Sequence, residues 1–322
     1  MLDIDEGWFE AETINGYYVP EMIKRSFAAQ MEVYEEIRKV CEHHNIRFFA
    51  SYGTLLGIVR HRGFIPWDDD LDIIMMRSDM NRFLECAKKE LPEEYMILHH
   101  STQTGYRDIM MRIVNSRSID WGEDHLRKFH GFPYVCGVDI FALDKMPRDK
   151  DMVETMCAVA VAVDNTLALL WSSEFDELKV QTVKQIEEAA GVSFDWSKPL
   201  DSQLLRFTED VLGMYSQLPE SEYDEVVMFA SIMHSDVKRG IPKEYFADVI
   251  WMDYEGLVKM PAPAGYDAIL RSNYGEGYMI PQIFQPHDYP YFRSQEQQLR
   301  DIAANHPEMK AQLERFFINA FV

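Results

Sequence analysis

The chain has 322 residues, of which 47% are hydrophobic and 13% aromatic, and this composition indicates a globular protein with a well-buried core. Lys and Arg total 32 against 54 Asp and Glu, and the resulting net charge of -22 opposes loose association with nucleic acid or anionic lipid. Any phosphate-bearing substrate must therefore meet a local positive charge or a metal ion.

The sequence predicts a cytoplasmic protein with no transmembrane segment. Its start, MLDIDEGWFEAE, is acidic and lacks the basic segment and apolar core of a signal peptide. The longest apolar stretch, Met156 to Trp171, is interrupted by Asp164 and Asn165 and is short for a bilayer span, so we expect a buried helix there. The cysteines stand far apart without a C-x-x-C pair, which is typical of reduced thiols. Peripheral association with the inner membrane surface stays open.

The first predicted elements are a helix, a strand and a second helix. Apolar residues three or four positions apart predict an amphipathic helix from Pro20 to about His44. IRFFASYG predicts a buried strand that ends at Gly53. TLLGIVRHRG then predicts a short helix that is capped by Thr54 and stopped by Gly63.

The rest of the chain divides into strands, helices and strands again. WDDDLDII predicts the next strand, and Ser78 can cap a helix through about Leu91. Three more strand candidates precede a break at KMPRDKD: YMILHHS, RDIMMRIVNSRSID and YVCGVDIFALD. The pattern is mostly helical from Met152 to about Leu218. Strands at EVVMFA and DYEGLVKMPAP, a short helix at GYDAILRSNYG and a last helix from about Arg293 complete the prediction.

Strands therefore cluster early and late, with helices between them. The sequence has no fixed-period repeat and no low-complexity linker. We predict one α+β fold, in which a mixed sheet is flanked by helices and interrupted by a helical insertion.

The segment GFIPWDDDLDII concentrates four aspartates at the entrance to an apolar run. In a strand, alternate side chains share a face, so Asp68, Asp70 and Asp72 would face one side and Asp69 the other. Carboxylates two residues apart lie about 7 Å from each other along a strand, close enough to hold one hard divalent cation between them. The pattern predicts a metal site with Asp70 and Asp72 as ligands, Asp68 as a supporting group and Asp69 dispensable to the chemistry.

Two other interpretations of this acidic run compete with the metal site. Acidic runs are usually solvated, but Trp67 and the LDIIMM run place these charges at a core boundary, where crowded carboxylates raise their own pKa values. An EF-hand calcium loop is excluded, because Ile73 stands where that loop needs Gly and Asp79 where it needs Glu.

A candidate phosphate site precedes the acidic run. Gly53 and Thr54 lie at the predicted strand-to-helix turn, where backbone N–H groups favour a phosphate, although such a turn alone would be an ordinary N-cap. Arg60 and Arg62 are the preferred phosphate anchors, with charge balance beside acidic residues as the alternative role. Arg112 is a third candidate phosphate ligand, because apolar residues flank it and an ordinary surface arginine is not expected there.

Asp139 is the candidate third carboxylate. It stands between Val138 and Ile140 in a predicted strand, where a lone charge is costly, so a metal or hydrogen-bonded role is favoured. There it could complete the metal shell and accept a proton from an attacking hydroxyl. Asp144 is predicted to cap or turn the chain just past this strand.

Two pairs of adjacent histidines, His43–His44 and His99–His100, have the side chains of a metal site. Adjacent side chains on a helix or strand diverge. We therefore interpret both pairs as structural histidines.

The segment GTLLGIVRHRGFIPWDDDLDI closely resembles the signature of the LicD-type phosphocholine transferases, relatives of the fukutin-type phosphosugar transferases. DIFALD at residues 139–144 and YGEGYMIP at residues 274–281 are similar to later segments of that family. The resemblance implies a nucleotidyltransferase-like fold. In such a fold Gly53-Thr54 would hold phosphate, Asp70-Leu71-Asp72 would hold Mg²⁺, with Mn²⁺ as an alternative, and Asp139 would supply the third carboxylate.

The resemblance also implies a reaction: transfer of phosphocholine, or a related phosphoalkyl group, from CDP-choline or a similar CDP-linked donor to a glycan hydroxyl, with release of CMP. The acceptor would be a cell-surface glycan such as lipopolysaccharide or teichoic acid, or a lipid-linked glycan. Asp70, Asp72 and Asp139 would be the catalytic residues, and the protein's main contribution would be positioning and charge neutralisation.

The implied organisation is one LicD-like transferase domain over residues 1–322. Residues 20–150 would form the metal- and nucleotide-binding core, 151–225 a helical insertion, and 226–322 the part that completes the fold and the acceptor side. The family resemblance favours an acceptor-pocket role for RSNYGEGYMIP. It does not extend to the region from about 152 to 225.

Two other functions stay open: a D-x-D glycosyltransferase that uses a nucleotide sugar, and a non-catalytic, metal-stabilised glycan-binding module. The chain departs from the fukutin-type branch because it lacks paired cysteines for a zinc finger. Choline's ammonium group favours an aromatic face. Large aromatics usually belong to the core, so no cage is assigned among the available residues, which are Tyr52, Trp67, Trp121, Tyr274 and Tyr278.

Overall fold

The computed structural model describes residues 1–172, 177–228, 240–283 and 289–305. The helices in these ranges are α1 (Glu21–His43), α2 (Tyr52–His61), α3 (Arg77–Glu90), α4 (Glu123–Lys128), α5 (Lys150–Ser172), α6 (Glu177–Ala190), α7 (Leu200–Ser216), α8 (Tyr266–Tyr274) and α9 (Arg293–Asn305). The strands are β1 (Glu12–Ile14), β2 (Tyr17–Val19), β3 (Phe49–Ala50), β4 (Asp72–Met76), β5 (Met96–Leu98), β6 (Met111–Val114), β7 (Gly137–Pro147), β8 (Tyr223–Met228), β9 (Ile241–Pro242), β10 (Val249–Tyr254) and β11 (Val258–Pro263).

The main sheet is built around the long strand β7. Its first half lies between β4 and β6, its second half pairs with β8, and the order across the sheet is β3-β4-β7-β6-β5. The β4–β7 pairing is parallel, whereas β7 pairs antiparallel with β6 and with β8. Helices flank this mixed sheet, which confirms the predicted α+β, nucleotidyltransferase-like class.

Helix α1 covers the sheet and carries much of the core. Its apolar residues recur three or four apart, as the sequence predicts, and Phe27 stacks on Phe64 with ring centroids 3.8 Å apart. Tyr34 is fully buried and donates its hydroxyl proton to the Lys259 carbonyl at 2.7 Å. Helix α1 thereby joins the first part of the chain to the β10–β11 hairpin.

The start of α2 differs from the sequence-based prediction. The strand ends at Ala50 and the helix begins at Tyr52, so Ser51 occupies the N-cap position and Thr54 lies inside the first turn. The buried Thr54 hydroxyl accepts the backbone N–H of Asp72 at 2.8 Å instead of capping the helix. This bond fixes the beginning of β4 against α2.

The predicted position of Asp144 past the end of a strand is wrong. Strand β7 continues to Pro147, and Asp144 is a fully buried residue within it. Arg77, at the start of α3, donates from Nε and Nη2 to the two Asp144 oxygens at 2.8 and 2.9 Å. A buried charge needs such a partner, and the partner lies 67 positions away in sequence.

Helix α5 is buried on one face only. Met156, Ala160, Val163 and Leu167 are buried, whereas Val161 is 46% exposed, so the expectation of a buried helix is half correct. Among the described residues, α5 is the one helix long and apolar enough to cross a membrane, and 28% of its most apolar window is buried. Core helices share this length and composition, so these properties alone do not assign α5 to a membrane.

Breaking the Arg77–Asp144 pair should destabilise the fold. We expect Arg77→Met to lower the free energy of unfolding by about 3–5 kcal/mol, because it leaves the buried Asp144 carboxylate without its cation. Arg77→Met/Asp144→Leu should cost less, since no lone charge is left behind. Urea denaturation measures both.

The matched control is Arg148→Met, which breaks an exposed pair with Asp224 and should leave the urea midpoint unchanged. Equal losses for Arg77→Met and Arg148→Met would contradict a structural role for the buried pair.

Candidate active site

The register of β4 against β7 brings the predicted metal ligands together. Asp72 is the parallel partner of Asp139, and Asp70 precedes Asp72 in the segment that leads into β4. Asp72 is 8% exposed. Burial raises its pKa well above the usual value for an aspartate, and repulsion from Asp70, Asp139 and Asp68 adds to the effect. The site therefore holds negative charge at an energetic cost.

Asp139 is held by Arg112 from the neighbouring strand β6. Arg112 Nη2 donates to Asp139 Oδ2 at 2.6 Å and Nε donates to Oδ1, a bidentate arrangement. This hydrogen bonding raises the pKa of the Arg112 guanidinium, with a further contribution from the charge of Asp139. The structure thus places the predicted phosphate ligand Arg112 directly on the predicted third carboxylate.

Two cavities meet at Asp70. The first, of about 400 Å³, has Gly53 and Arg60 on its surface together with Asp68, Asp70, Asp72 and four aromatic residues: Tyr52, Trp67, Tyr274 and Tyr278. The second, of about 380 Å³, is lined by polar residues that include Gln30, Asp69, Asp70, Arg112, Asp139 and Gln295. Both cavities thus border the acidic centre.

Gly53 allows Asp68 to lie close to α2. A Cβ atom at Gly53 would stand 2.1 Å from Asp68 Oδ2, so any larger residue would displace that carboxylate. The G-T pair therefore does two things here: Gly53 makes room for Asp68, and Thr54 holds the Asp72 backbone. Both residues lie in the first turn of α2, where N–H groups point away from the helix.

The two candidate phosphate anchors on α2 differ in position. Arg60 lines the first cavity, donates from Nη1 to the Tyr278 carbonyl at 3.0 Å, and lies with its guanidinium carbon 6.0 Å from the Trp67 ring centre. Burial lowers the pKa of Arg60. Arg62 is exposed at the C-terminus of α2 and is not among the residues that line the two cavities described here.

Asp69 is fully buried and lines the second cavity, whereas Asp68 lines the first. Asp69 Oδ2 accepts the backbone N–H of Tyr291 at 2.7 Å, and the Asp69 carbonyl accepts from Gln30 Nε2 at 2.9 Å. Asp69 thereby fixes the chain before α9, whose Gln295 lines the second cavity. Its hydrogen bonds connect the acidic segment to the C-terminal part of the chain.

The acidic centre fits a metal ion by its chemistry. Asp70, Asp72 and Asp139 supply carboxylate oxygens, the ligands of hard divalent cations, and a cation would offset the repulsion that raises the pKa of Asp72. In the described part of the chain, three potential ligand atoms lie within 4.8 Å of one another in two clusters, His43–His44–Glu90 and His99–His100–Glu209. The three aspartates are not such a cluster in this structure.

The two histidine clusters correct the prediction that adjacent histidines diverge. His43 and His44 both contact Glu90, and His99 and His100 both contact Glu209. The ring centroids of each pair lie less than 5 Å apart, at 4.5 and 4.2 Å. Neighbouring imidazoles can converge because each shared carboxylate comes from a distant helix residue.

Comparison with known proteins finds a related family. Residues 45–135 match the family model described as LicD/FKTN/FKRP, nucleotidyltransferase domain. This segment of the chain is similar to the LicD type. The matched residues include Gly53, Thr54, Asp70, Asp72 and Arg112, and they end shortly before Asp139.

Curated relatives extend the LicD-type similarity. The lipopolysaccharide cholinephosphotransferase LicD of Haemophilus influenzae is 26% identical over 255 residues, which is 78% of this chain and 89% of the relative. An uncharacterized protein of Rickettsia typhi is 36% identical over 69 residues, which is 21% of this chain and 22% of that protein. One of Rickettsia prowazekii is 44% identical over 48 residues, 15% of this chain and 18% of that protein.

Two polar residues of the candidate site were not predicted from the sequence. Gln30 lies in α1 and Gln295 in α9, and both side chains line the second cavity. The sequence gives one indication that Gln30 is a buried polar residue, since it is an amide near Phe27 and Met31 in an apolar helix pattern. It gives no such indication for Gln295, because the helix that contains Gln295 is mostly polar.

Neutralising Asp72 should stabilise the metal-free protein. Folding raises the pKa of Asp72. At pH values between the usual and the raised pKa, the native state therefore binds more protons than the unfolded state. Stability therefore falls as pH rises through that window, by about 1.4 kcal/mol per unit of pKa difference. We expect Asp72→Asn to raise the free energy of unfolding at pH 7 in the presence of chelator. The variant should also lose less stability than the wild type as pH rises.

Urea denaturation at several pH values, with chelator present, measures this effect. Asp253→Asn is the control, because Asp253 is exposed on β10 and should give the wild-type profile. An Asp72→Asn protein that is less stable than wild type at pH 7 would show that the carboxylate is not under electrostatic strain.

Proposed function

We propose that the protein is a transferase that moves phosphocholine, or a related phosphoalkyl group, from a CDP-linked donor to a hydroxyl of a cell-surface glycan and releases CMP. The observation that carries this proposal is that Asp70 borders two separate cavities. A group transfer requires two substrates to meet at one charged centre, and the shared carboxylate marks that meeting point. The LicD-type domain and the lipopolysaccharide cholinephosphotransferase relative support the choice of reaction.

We assign the donor to the first cavity. The first turn of α2, at Gly53 and Thr54, offers backbone N–H groups and the positive end of a helix to a phosphate. Arg60 supplies a positive side chain on the same wall. The chain's charge of -22 makes such local positive groups necessary for binding a diphosphate. Tyr52, Trp67, Tyr274 and Tyr278 give the cavity the aromatic surface that a base or a quaternary ammonium group favours.

We assign the acceptor to the second cavity. Gln30 and Gln295 present amide groups there, which suit the hydroxyl groups of a sugar. Asp139 lies on the same wall and is the proposed proton acceptor. Residues 226–322 thus take part on both sides, through Tyr274 and Tyr278 in the first cavity and Gln295 in the second.

The proposed step forms one bond to phosphorus, breaks one bond to phosphorus and transfers one proton. The acceptor hydroxyl oxygen bonds to the phosphorus of the phosphocholine group, and its proton passes to Asp139. The bond from that phosphorus to the CMP oxygen breaks, and CMP leaves with the electron pair. Arg112 positions Asp139 through two hydrogen bonds and keeps its oxygens at the cavity wall.

Asp70, Asp72 and Asp139 are the proposed ligands of Mg²⁺, with Mn²⁺ as the alternative. The metal would supply positive charge to the phosphoryl oxygens. Asp68 supports this set through the space that Gly53 leaves for it. We further propose a cytoplasmic location, where a lipid-linked acceptor would be met at the inner membrane surface.

The proposal predicts CMP release from CDP-choline in the presence of Mg²⁺ and a glycan acceptor. Asp70→Ala should abolish release, because it removes the carboxylate common to both cavities. Asp139→Asn should lower the rate by about 10² to 10⁴-fold, the usual loss on removing a general base. Asp253→Ala, an exposed aspartate, is the control and should keep wild-type activity.

A donor screen identifies the reaction class. CDP-choline, CDP-ethanolamine, CDP-ribitol and several UDP-sugars are compared with the same acceptors. Turnover of UDP-sugars alone would favour a nucleotide-sugar glycosyltransferase, and glycan binding without any turnover would favour a binding module. Inactivity with every CDP-linked donor would contradict the proposal.

A further inference from the structure

A buried polar cluster lies outside the proposed active site. His99 and His100 follow the end of β5, and Glu209 lies in α7. His99 Nε2 is 3.0 Å from Glu209 Oε1 and His100 Nε2 is 2.7 Å from Glu209 Oε2. The two imidazoles are 2% and 3% exposed and the carboxylate is 19% exposed. We define these three residues as the HHE cluster.

We propose that the HHE cluster is a binding site for a divalent transition-metal ion, with zinc as the best chemical match. Two imidazoles and one carboxylate form a known zinc ligand set in proteins, with a fourth position left for water. Imidazole nitrogen is a poor ligand for Mg²⁺, which distinguishes this site from the acidic centre.

The distances allow all three side chains to reach one ion. Their ligand atoms lie within 4.8 Å of one another. Ligands of a tetrahedral zinc with bonds near 2.05 Å lie about 3.3 Å apart, so small side-chain rotations bring these atoms onto a common ion.

Ser101 orients one of the imidazoles. Its Oγ lies 2.8 Å from His99 Nδ1, and its backbone N–H donates to the same atom at 3.3 Å. A metal-bound histidine generally donates its other N–H to a neighbouring acceptor, and with an ion on Nε2 the Ser101 hydroxyl is the group that could accept it. Nε2 of His99 is then directed at the cluster centre.

The charge balance around the HHE cluster also favours a cation. Arg77 Nη1 lies 3.4 Å from Glu209 Oε1, but Arg77 is already paired with the buried Asp144. With neutral histidines, one guanidinium therefore faces two carboxylates in a buried region. A net negative charge in such a place is costly, and a metal ion or a proton on an imidazole would neutralise it.

The bound ion would join two parts of the fold. His99 and His100 extend from the sheet, and Glu209 belongs to the helices between β7 and β8. Nothing in this inference depends on the donor or the reaction proposed for the acidic centre.

The test is zinc uptake by the full chain, stripped with a chelator and held in excess Mg²⁺, which occupies carboxylate sites. Equilibrium dialysis with elemental analysis should show one tightly bound zinc per chain. X-ray absorption at the zinc edge should show two imidazole ligands with nitrogen and oxygen only. Zinc with sulfur ligands, or no bound zinc, would overturn the inference and leave the cluster as a hydrogen-bonded network.

Two variants locate the ion. Glu209→Gln keeps the size and hydrogen-bonding capacity of the side chain, and it should weaken zinc binding by about 100-fold or more. His100→Gln should weaken it similarly and leave at most one imidazole in the spectrum. Circular dichroism in chelator checks that each variant is folded. Wild-type zinc affinity in a folded Glu209→Gln protein would overturn the inference.

The chain provides a matched control in the surface cluster His43–His44–Glu90. It has the same residue types, but its side chains are 70%, 30% and 31% exposed and must be ordered before they can bind. Glu90→Gln should therefore leave tight zinc binding unchanged. A loss on Glu90→Gln equal to that on Glu209→Gln would also contradict the assignment.

Discussion

The parallel pairing of β4 with β7 is the constraint on which the site depends. It sets Asp72 beside Asp139 at the point where both strands begin, and Asp70 and Asp68 lie immediately upstream. Burial raises the pKa of Asp72, and repulsion from the neighbouring carboxylates raises it further. A fold keeps such an arrangement when other groups offset the repulsion. Arg112 does so for Asp139, and we propose that a divalent cation does so for the rest of the centre.

Strand β7 also organises the second polar centre. Five residues after Asp139, Asp144 pairs with Arg77, and Arg77 in turn reaches Glu209 on α7. One strand thus carries Asp139 at the wall of the second cavity and, further along, the fully buried Asp144, which attaches helices to the sheet. Between them, Ile140 and Leu143 point to opposite faces of the strand, and both are fully buried.

Features that depend on residues close together in the sequence were predictable. Alternation through WDDDLDII separates Asp69 from Asp68, Asp70 and Asp72, and the first cavity is lined by the last three and not by Asp69. Asp70 also shares the second cavity with Asp69, because regular strand β4 begins only at Asp72. The α+β class follows from the distribution of strand and helix patterns. One local signal was overlooked: Asn15 and Gly16, with φ of 52° and 80°, form the turn of the β1–β2 hairpin, and such a pair strongly predicts one.

Contacts between distant residues were not predictable. Arg112 meets Asp139 across 27 positions, Arg77 meets Asp144 across 67, and the histidines meet Glu209 across 109 and 110. A lone charge in a strand indicates that a partner exists, but its identity depends on strand order and helix packing. For the same reason, each histidine pair is visible in the sequence, but the glutamate that both of its imidazoles contact is not.

We propose that Asp70, Asp72 and Asp139 form one cation site between two substrate cavities. A crystal structure of the full chain with Mn²⁺ and CMP, with anomalous diffraction recorded for manganese, tests this proposal. We expect an anomalous peak about 2 Å from carboxylate oxygens of these aspartates, with the CMP phosphate in the first cavity. A structure with manganese bound only elsewhere, or with CMP bound away from Gly53 and Arg60, would contradict it.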